Sequence, residues 1–422
     1  MEVISQIKKH SLFASVFALA KATVYFVPLL LADVLSRTDF GILEYALAGL
    51  GMIVNTVINL GVPGAYPYFI LREKRLELQP SFKLHVLVLL IPFVINQILF
   101  FFFELNINFY LAFNVSYIIA NQVFYSTQLK SHEKSIVAVI LDSGLYIVLL
   151  VYYIFSLFGL VAISINAINV FIILYAMGYV FYSIYNFFKH KNQILIDGYK
   201  IILRFSVHLL ISTFLIFLIT TSGRILVEYF FDFEAVGVYA FYFRLSAIVV
   251  MIYQVINILF FKKLYTLSPL LLDEYYYKFF LFIYTLSVLI FFISPYIVGE
   301  FSDFFTLTFQ SYKNIYFILS AQMVVWIATA LNSSIIDREK LAAINNIKFL
   351  GLSVVALIVF YFCRNQMDLQ FLVLIHFTII STACLIQYFS LYKKNIIFRK
   401  SALTIASLYL FTIGYYYLIL CP

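Results

Sequence analysis

Residues 21–69 read KATVYFVPLLLADVLSRTDFGILEYALAGLGMIVNTVINLGVPGAYPYF, and this stretch decides how the chain folds. Two apolar runs flank a polar turn, LSRTDFG at 35–41, and the second run closes on the breaker LGVPGAYP at 60–67. An α-helix rises about 1.5 Å per residue, so about 20 apolar residues cross the hydrocarbon of a bilayer, and each run is long enough. A lysine, Lys21, sits inside the first run. An ammonium group at the centre of a membrane helix costs about 2.5 to 3.5 kcal/mol on insertion scales, so a chain that keeps one uses it or hides it.

The remaining sequence extends this pattern. Of 422 residues, 64% are apolar, 20% aromatic and only 11% charged, and the mean hydropathy is +1.00. Soluble domains carry about 25% charged residues, so the composition excludes an ordinary soluble globule and gives an all-α polytopic membrane protein. Spans are predicted at 12–32, 41–62, 82–103, 108–128, 136–156, 160–186, 205–230, 236–260, 279–298, 313–334, 341–362 and 370–391. A last apolar run, 402–420, reads either as a thirteenth span or as a helix on the bilayer surface. The first hydrophobic run lacks a small-residue cleavage site and reads as a retained span. Cys363, Cys384 and Cys421 have neither metal-ligand spacing nor a paired framework, and no cofactor or metal is expected.

A net charge of +8 invites a nucleic-acid partner, but its distribution gives another explanation. Basic residues gather on alternate connections, among them Lys8 and Lys9, then Arg72, Lys74, Arg75 and Lys83, then Lys130 and Lys134, then Lys189, Lys191 and Lys200, later Lys262, Lys263 and Lys340, and finally Lys393 and Lys394. The opposite connections hold Arg37, Lys313 and Arg364. This is the positive-inside pattern, which places the N terminus in the cytoplasm and accounts for the charge without nucleic acid.

The longest basic break divides twelve spans into six and six. The expected domains are an N-terminal six-helix lobe over 1–188, a cytoplasmic linker over 189–204, a C-terminal six-helix lobe over 205–392, and a basic segment with the possible extra helix over 393–422. Residues 8–48 laid over 204–244 without gaps match Gly41 to Gly237. Two halves of six spans share orientation, and substrate sites in such proteins lie where the halves meet.

Polar groups in the spans are the candidate site. Ala14, Phe17, Ala18, Lys21, Tyr25 and Pro28 share one helical face, on which Lys21 reads as a counter-charge for a phosphate or carboxylate, or as a group that snorkels to the inner surface. Arg224 and Glu228 stand four apart, where they can partly neutralise each other. Arg244 in the eighth span offers the parallel hydrogen bonds by which a guanidinium grips a diphosphate. Glu44 near the start of its span is favoured by the helix dipole, and Asp142 either carries a coupling ion or bonds across helices. Asn114, Tyr117, Asn121, Tyr125 and Gln128 form one polar stripe that either lines a wet passage or joins helices. Asn55 and Asn59, Asn166 and Asn169, and Gln254 and Asn257 repeat the theme. Pro28 removes a backbone donor two turns beyond Lys21 and is expected to act as a hinge.

Two patches, LSRTDFG with LGVPGAYPYF at 60–69, and RILVEYF at 224–230 with VGVYAFYFRL at 236–245, resemble polysaccharide-exporting flippases of the Wzx type, in the multidrug, oligosaccharidyl-lipid and polysaccharide exporter superfamily. The resemblance implies two six-helix lobes, as in the multidrug exporters, around a central cationic cavity. It implies transport by alternating access of an undecaprenyl-diphosphate-linked oligosaccharide, an O-antigen or similar repeat unit, across the bacterial inner membrane. Its implied partners are that lipid-linked oligosaccharide, membrane lipids, and the polymerase and chain-length regulator of the same pathway. Related lipid II flippases hold the diphosphate with basic residues on the first and eighth helices, which match Lys21 and Arg244 in kind. The expected substrate-binding set is therefore Lys21, Tyr25, Asn59, Asn114, Asn121, Arg224 and Arg244, with Glu44, Asp142 and Glu228 as ion-coupling candidates and no catalytic residue. The chain departs from the pattern in carrying one lysine where those relatives have several arginines, and Gly223 where many have an acid before the arginine. The competing readings are an integral membrane polymerase or glycosyltransferase and a drug antiporter of the same superfamily.

Overall fold

The computed structural model describes residues 2–190, 195–254, 267–339 and 341–420, with side chains of 15–189 in the first stretch. Lys191, Asn257, Lys262, Lys263, Lys340 and Cys421 lie outside the described residues, as do the side chains of Lys8, Lys9 and Ala14. Among the described residues every regular element is helical. The helices are α1 (Glu2–Val34), α2 (Arg37–Ala48), α3 (Leu50–Ile58), α4 (Val62–Pro67), α5 (Gln79–Phe82), α6 (Leu84–Phe103), α7 (Ile107–Ser131), α8 (Ser135–Asp142), α9 (Gly144–Leu157), α10 (Ile165–His190) and α11 (Ile196–Thr220). Then follow α12 (Gly223–Phe230), α13 (Phe233–Ser246), α14 (Ile248–Gln254), α15 (Pro269–Ile297), α16 (Asp303–Arg338), α17 (Ala342–Cys363), α18 (Leu369–Tyr392) and α19 (Arg399–Tyr415). Ten of the described helical stretches are long and apolar enough to cross a membrane, or up to 12 when two bent pairs, α8 with α9 at 53° and α13 with α14 at 45°, each count as one span. The chain is an all-α polytopic membrane protein.

Helix starts follow local chemistry. A helix leaves its first amides without partners, and a short polar side chain just before it supplies an acceptor. Ser36 caps α2 through Asp39 N (3.0 Å), Asn106 caps α7 through Asn108 N (2.9 Å), and Ser164 caps α10 through Ala167 N (3.2 Å). Asp232 caps α13 through Ala235 N (2.8 Å), Ser302 caps α16 through Phe305 N (3.2 Å), and Asp368 caps α18 through Phe371 N (2.7 Å). All of these caps lie on the connections poor in cations.

The chain divides into two compact units, 1–214 and 215–422. In the first, α7 is the hub, packed by α2, α3, α4, α6, α8 and α10. Its polar stripe is too hydrophilic for a lipid-facing helix, and α7 buries Asn114, Tyr117 and Asn121 instead. A buried cluster of Val62, Tyr66, Phe69, Phe82, Phe124 and Ile202 closes the end of this unit that carries the basic connections. In the second unit α16 is the hub, packed by α13, α15 and α18, and it buries most of its length.

Several boundaries differ from expectation. Residues 196–204, read as linker, open α11. Arg224 and Glu228 do not sit in the same helix as 205–220, because α11 ends at Thr220 and α12 restarts at Gly223. Pro28 does not break its helix: α1 runs through it from Glu2 to Val34. The last apolar run packs lengthwise on α15, with Ser401 Oγ bonded to Asp273 Oδ1 (2.5 Å) and Tyr284 Oη to Thr412 Oγ1 (2.8 Å). The two contacts advance equally along both helices, so α19 runs parallel to α15 as a further span-length helix.

Candidate functional site

α10 carries Tyr175, Tyr179, Tyr182 and Asn186 at helical spacing, and α7 presents Tyr125 and Gln128 opposite them. Together they line a cavity of about 660 Å³ inside the first unit, at its basic end. Lys83, His132 and Lys134 also line it, as do the apolar Val86, Phe124, Val137 and Leu141, and none of the lining residues is acidic. The tyrosines form an ordered set. Tyr125 and Tyr179 lie nearly parallel with ring centroids 6.4 Å apart, Tyr125 meets Tyr182 edge-on at 5.1 Å, and Tyr175 meets Tyr179 edge-on at 5.3 Å. The hydroxyls of Tyr175 and Tyr179 are hydrogen-bonded at 3.1 Å, and Gln122 Nε2 donates to Tyr175 Oη at 3.3 Å. His132 follows the last turn of α7 and is held there by Tyr66 Oη at 3.1 Å and by Gln79 Nε2 at 3.5 Å. Flat aromatic faces, amide and hydroxyl groups and cations thus share one cavity, which brings stacking surfaces, hydrogen-bonding groups and positive charge together.

Lys21 is half-buried on α1, with Nζ 5.8 Å from the Phe17 ring centroid and within the field of the Asp142 carboxylate. Asp142 itself pairs with Lys130 across α8 and α7 at 2.6 Å, the helix-bonding alternative for that residue. Phe17, Ala20 and Val139 bury the contact between α1 and α8, and Tyr25 and Pro28 are buried further along α1, whereas Ala18 is exposed. Glu44 is fully buried in the second turn of α2, beyond the first turn where the dipole acts most strongly.

The stripe on α7 divides between its two readings. Asn114 accepts from Asn96 Nδ2 (2.9 Å) and Gln97 Nε2 (2.8 Å) and donates to Asn169 Oδ1 (3.5 Å), so it joins α6, α7 and α10. Asn121 donates to Tyr117 O at 2.8 Å within α7. These two are enclosed by helices, while Tyr125 and Gln128 reach the cavity. Asn59 lines a separate niche of about 170 Å³ with Asn55 and Thr56.

Arg224, Glu228 and Arg244 belong to the second unit. Arg224 is buried with its guanidinium 4.8 Å from the Phe243 ring centroid, and Arg244 is buried on α13 beside that phenylalanine. Glu228 is half-exposed one turn beyond Arg224. A Cβ at Gly223 would stand 2.1 Å from Tyr239 Oη, so the tyrosine hydroxyl fills the place of an acidic side chain at that position. The cavity residues on α10 are absent from the expected set, although their spacing of four, three and four along one helix face is the same signal that marked α7.

Residues 9–260 match the profile of a family described as "Polysaccharide biosynthesis protein", which takes in the first unit from residue 9 onward and the helices up to α14. No curated protein and no solved structure matches the chain.

Proposed function

The chain belongs to the polysaccharide biosynthesis protein family, and we propose that it is a flippase that carries an undecaprenyl-diphosphate-linked oligosaccharide, an O-antigen or similar repeat unit, across the bacterial inner membrane by alternating access, with its N terminus in the cytoplasm. The observation that supports this reading is the tyrosine-lined cavity of about 660 Å³, with cations and no carboxylates among its lining residues. Drawing a diphosphate and many hydroxyls through hydrocarbon without replacement partners costs several kcal/mol per group. Tyrosine, glutamine and asparagine side chains replace water around the sugars, and Lys83 and Lys134 balance phosphate charge while the prenyl tail stays in lipid. Lys21 supplies further counter-charge within the first unit, and Arg224 and Arg244 do so within the second. Transport of this kind makes and breaks no covalent bond, so no catalytic residue is assigned. Membrane lipids and the polymerase and chain-length regulator of the pathway are its proposed partners.

Deleting the gene tests the reading: the surface polysaccharide is lost and the lipid-linked repeat unit accumulates on the cytoplasmic leaflet. Accumulation on the outer leaflet would instead make the protein a polymerase. Lys21→Ala and Arg244→Ala, and separately the pair Lys83→Glu with Lys134→Glu, are expected to lower export at least about tenfold, the effect of losing about 1.4 kcal/mol of charge-assisted binding. Membrane insertion of these variants is checked by their amount in washed membranes.

A further inference from the structure

The second apolar run of the chain does not end as an ordinary helix. α3 stops at Ile58, Leu60 and Gly61 take left-handed conformations with φ of 51° and 71°, and α4 restarts at Val62. A continuous helix would pass the amides of Leu60 and Val62 to the carbonyls of Thr56 and Ile58. Here the amide of Leu60 bonds Val57 O at 3.1 Å and that of Val62 bonds Asn59 O at 2.9 Å. The carbonyls of Thr56 and Ile58 thus lose those helical donors at the negative end of the α3 dipole.

Asn55, Thr56 and Asn59 line the niche of about 170 Å³ formed at this break, against Leu209, Leu210 and Thr213 of α11. Asn59 is 6% exposed, its Nδ2 donates to Asn55 Oδ1 at 2.7 Å, and its buried Oδ1 has no hydrogen-bond partner. Donors at the start of α4 are already engaged or missing: Val62 N goes to Asn59 O, Gly64 N goes to Gly61 O at 3.1 Å, and Pro63 has none. The niche therefore gathers oxygen acceptors, and its ligand is a cation. None of the lining residues is a carboxylate, which sets it apart from sites for calcium or magnesium. Carbonyls at a broken membrane helix and the C-terminal end of a half-helix are the ligand set that suits a dehydrated monovalent cation.

We propose that the break between α3 and α4 binds a sodium ion through Asn59 Oδ1 and the carbonyl oxygen of Thr56 freed at the end of α3, both on residues that line the niche. The site stands on the niche alone and does not require that the cargo be a lipid-linked glycan. Backbone packing fixes the break in place: a Cβ on Gly61 would meet Ser206 O at 2.3 Å, so α11 lies directly against it.

The purified full-length protein, titrated with sodium chloride against choline chloride at constant ionic strength, tests the site by thermal unfolding with no substrate present. Sodium is expected to raise the unfolding temperature saturably where choline does not. Asn59→Ala is expected to raise the half-saturating sodium concentration about tenfold, and Asn59→Asp to lower it, because stabilisation follows the ratio of ligand to its dissociation constant. Equal unfolding temperatures in sodium and choline, or a half-saturating concentration unmoved by Asn59→Asp, would mean that the niche holds only water and would overturn the proposal. Should Asn59→Ala fail to fold, Asn59→Asp decides alone. Because the readout is binding, a failure here leaves the flippase reading standing, and a failed export assay leaves the sodium site standing.

Discussion

Gly144 owes its identity to Tyr175. A Cβ there would stand 2.2 Å from Tyr175 Oη and 3.0 Å from Gln122 Nε2, so the start of α9 lets the tyrosine hydroxyl approach the backbone and keeps the aromatic wall of the cavity in place. Gly144→Ala is expected to destabilise the protein by about 1 to 3 kcal/mol through overpacking. Tyr175→Phe in the same chain should restore most of that loss in thermal unfolding, because the nearest remaining ring carbon lies 3.2 Å away. Lys130 and Asp142 supply a second test. Lys130 is half-exposed, so a double-mutant cycle with alanine is expected to return a coupling of only about 0.2 to 1 kcal/mol. Asp142→Ala alone should cost more than Lys130→Ala, since it also removes a counter-charge from Lys21. Residue types and spacing announced that the α7 stripe was polar. Which of its members met other helices and which met a cavity depended on neighbours such as Asn96, Gln97 and Asn169, far off in sequence.

At the scale of elements, the last helix shows why an apolar run is not yet a span. Residues 402–420 fit a bilayer crossing and a surface helix equally well by composition. Asp273 on α15 resolves it by capping α19 from outside: its carboxylate accepts from Lys400 N (2.9 Å), Ser401 N (2.8 Å) and Ser401 Oγ (2.5 Å), while Lys400 Nζ pairs with Glu274. A buried carboxylate at a helix N-terminus satisfies amides that no residue of that helix can reach and complements its dipole. Asp273→Ala is expected to cost at least about 2 kcal/mol in thermal unfolding, with Asp273→Asn losing less because it keeps an acceptor. Pro28 teaches the converse lesson. Proline alone pointed to an interruption in the first span, yet α1 continues through it, and the corresponding stretch of the second half, which has no proline, is the one that breaks at Thr221 and Ser222.

Across the whole molecule one pair of stretches shares a register, α2 with α3 and α13 with α14. With Gly41 set on Gly237, the cap Ser36 falls on the cap Asp232, the first residue of α2 on the first of α13, and α3 falls on α14. The gapless overlay of 8–48 on 204–244 thus brings capped helix starts together, although α1 is continuous where the aligned stretch breaks after Thr220. The alternation of basic connections makes a further prediction. In a chain whose own cysteines are replaced by alanine, Leu420→Cys is expected to react with a membrane-impermeant thiol reagent added outside intact cells, and Lys394→Cys only after the membrane is opened. Labelling of both from outside would refute the assigned orientation. The sequence by itself determined the apolar solvent of this protein and its helical class, because hydropathy acts over a few residues. Only the tertiary structure decided that α7 and α16 are hubs, that Tyr175, Tyr179 and Tyr182 face Tyr125 across a cavity, and that Asn59 keeps an oxygen without a donor, because burial and partnership depend on residues brought together from distant parts of the chain.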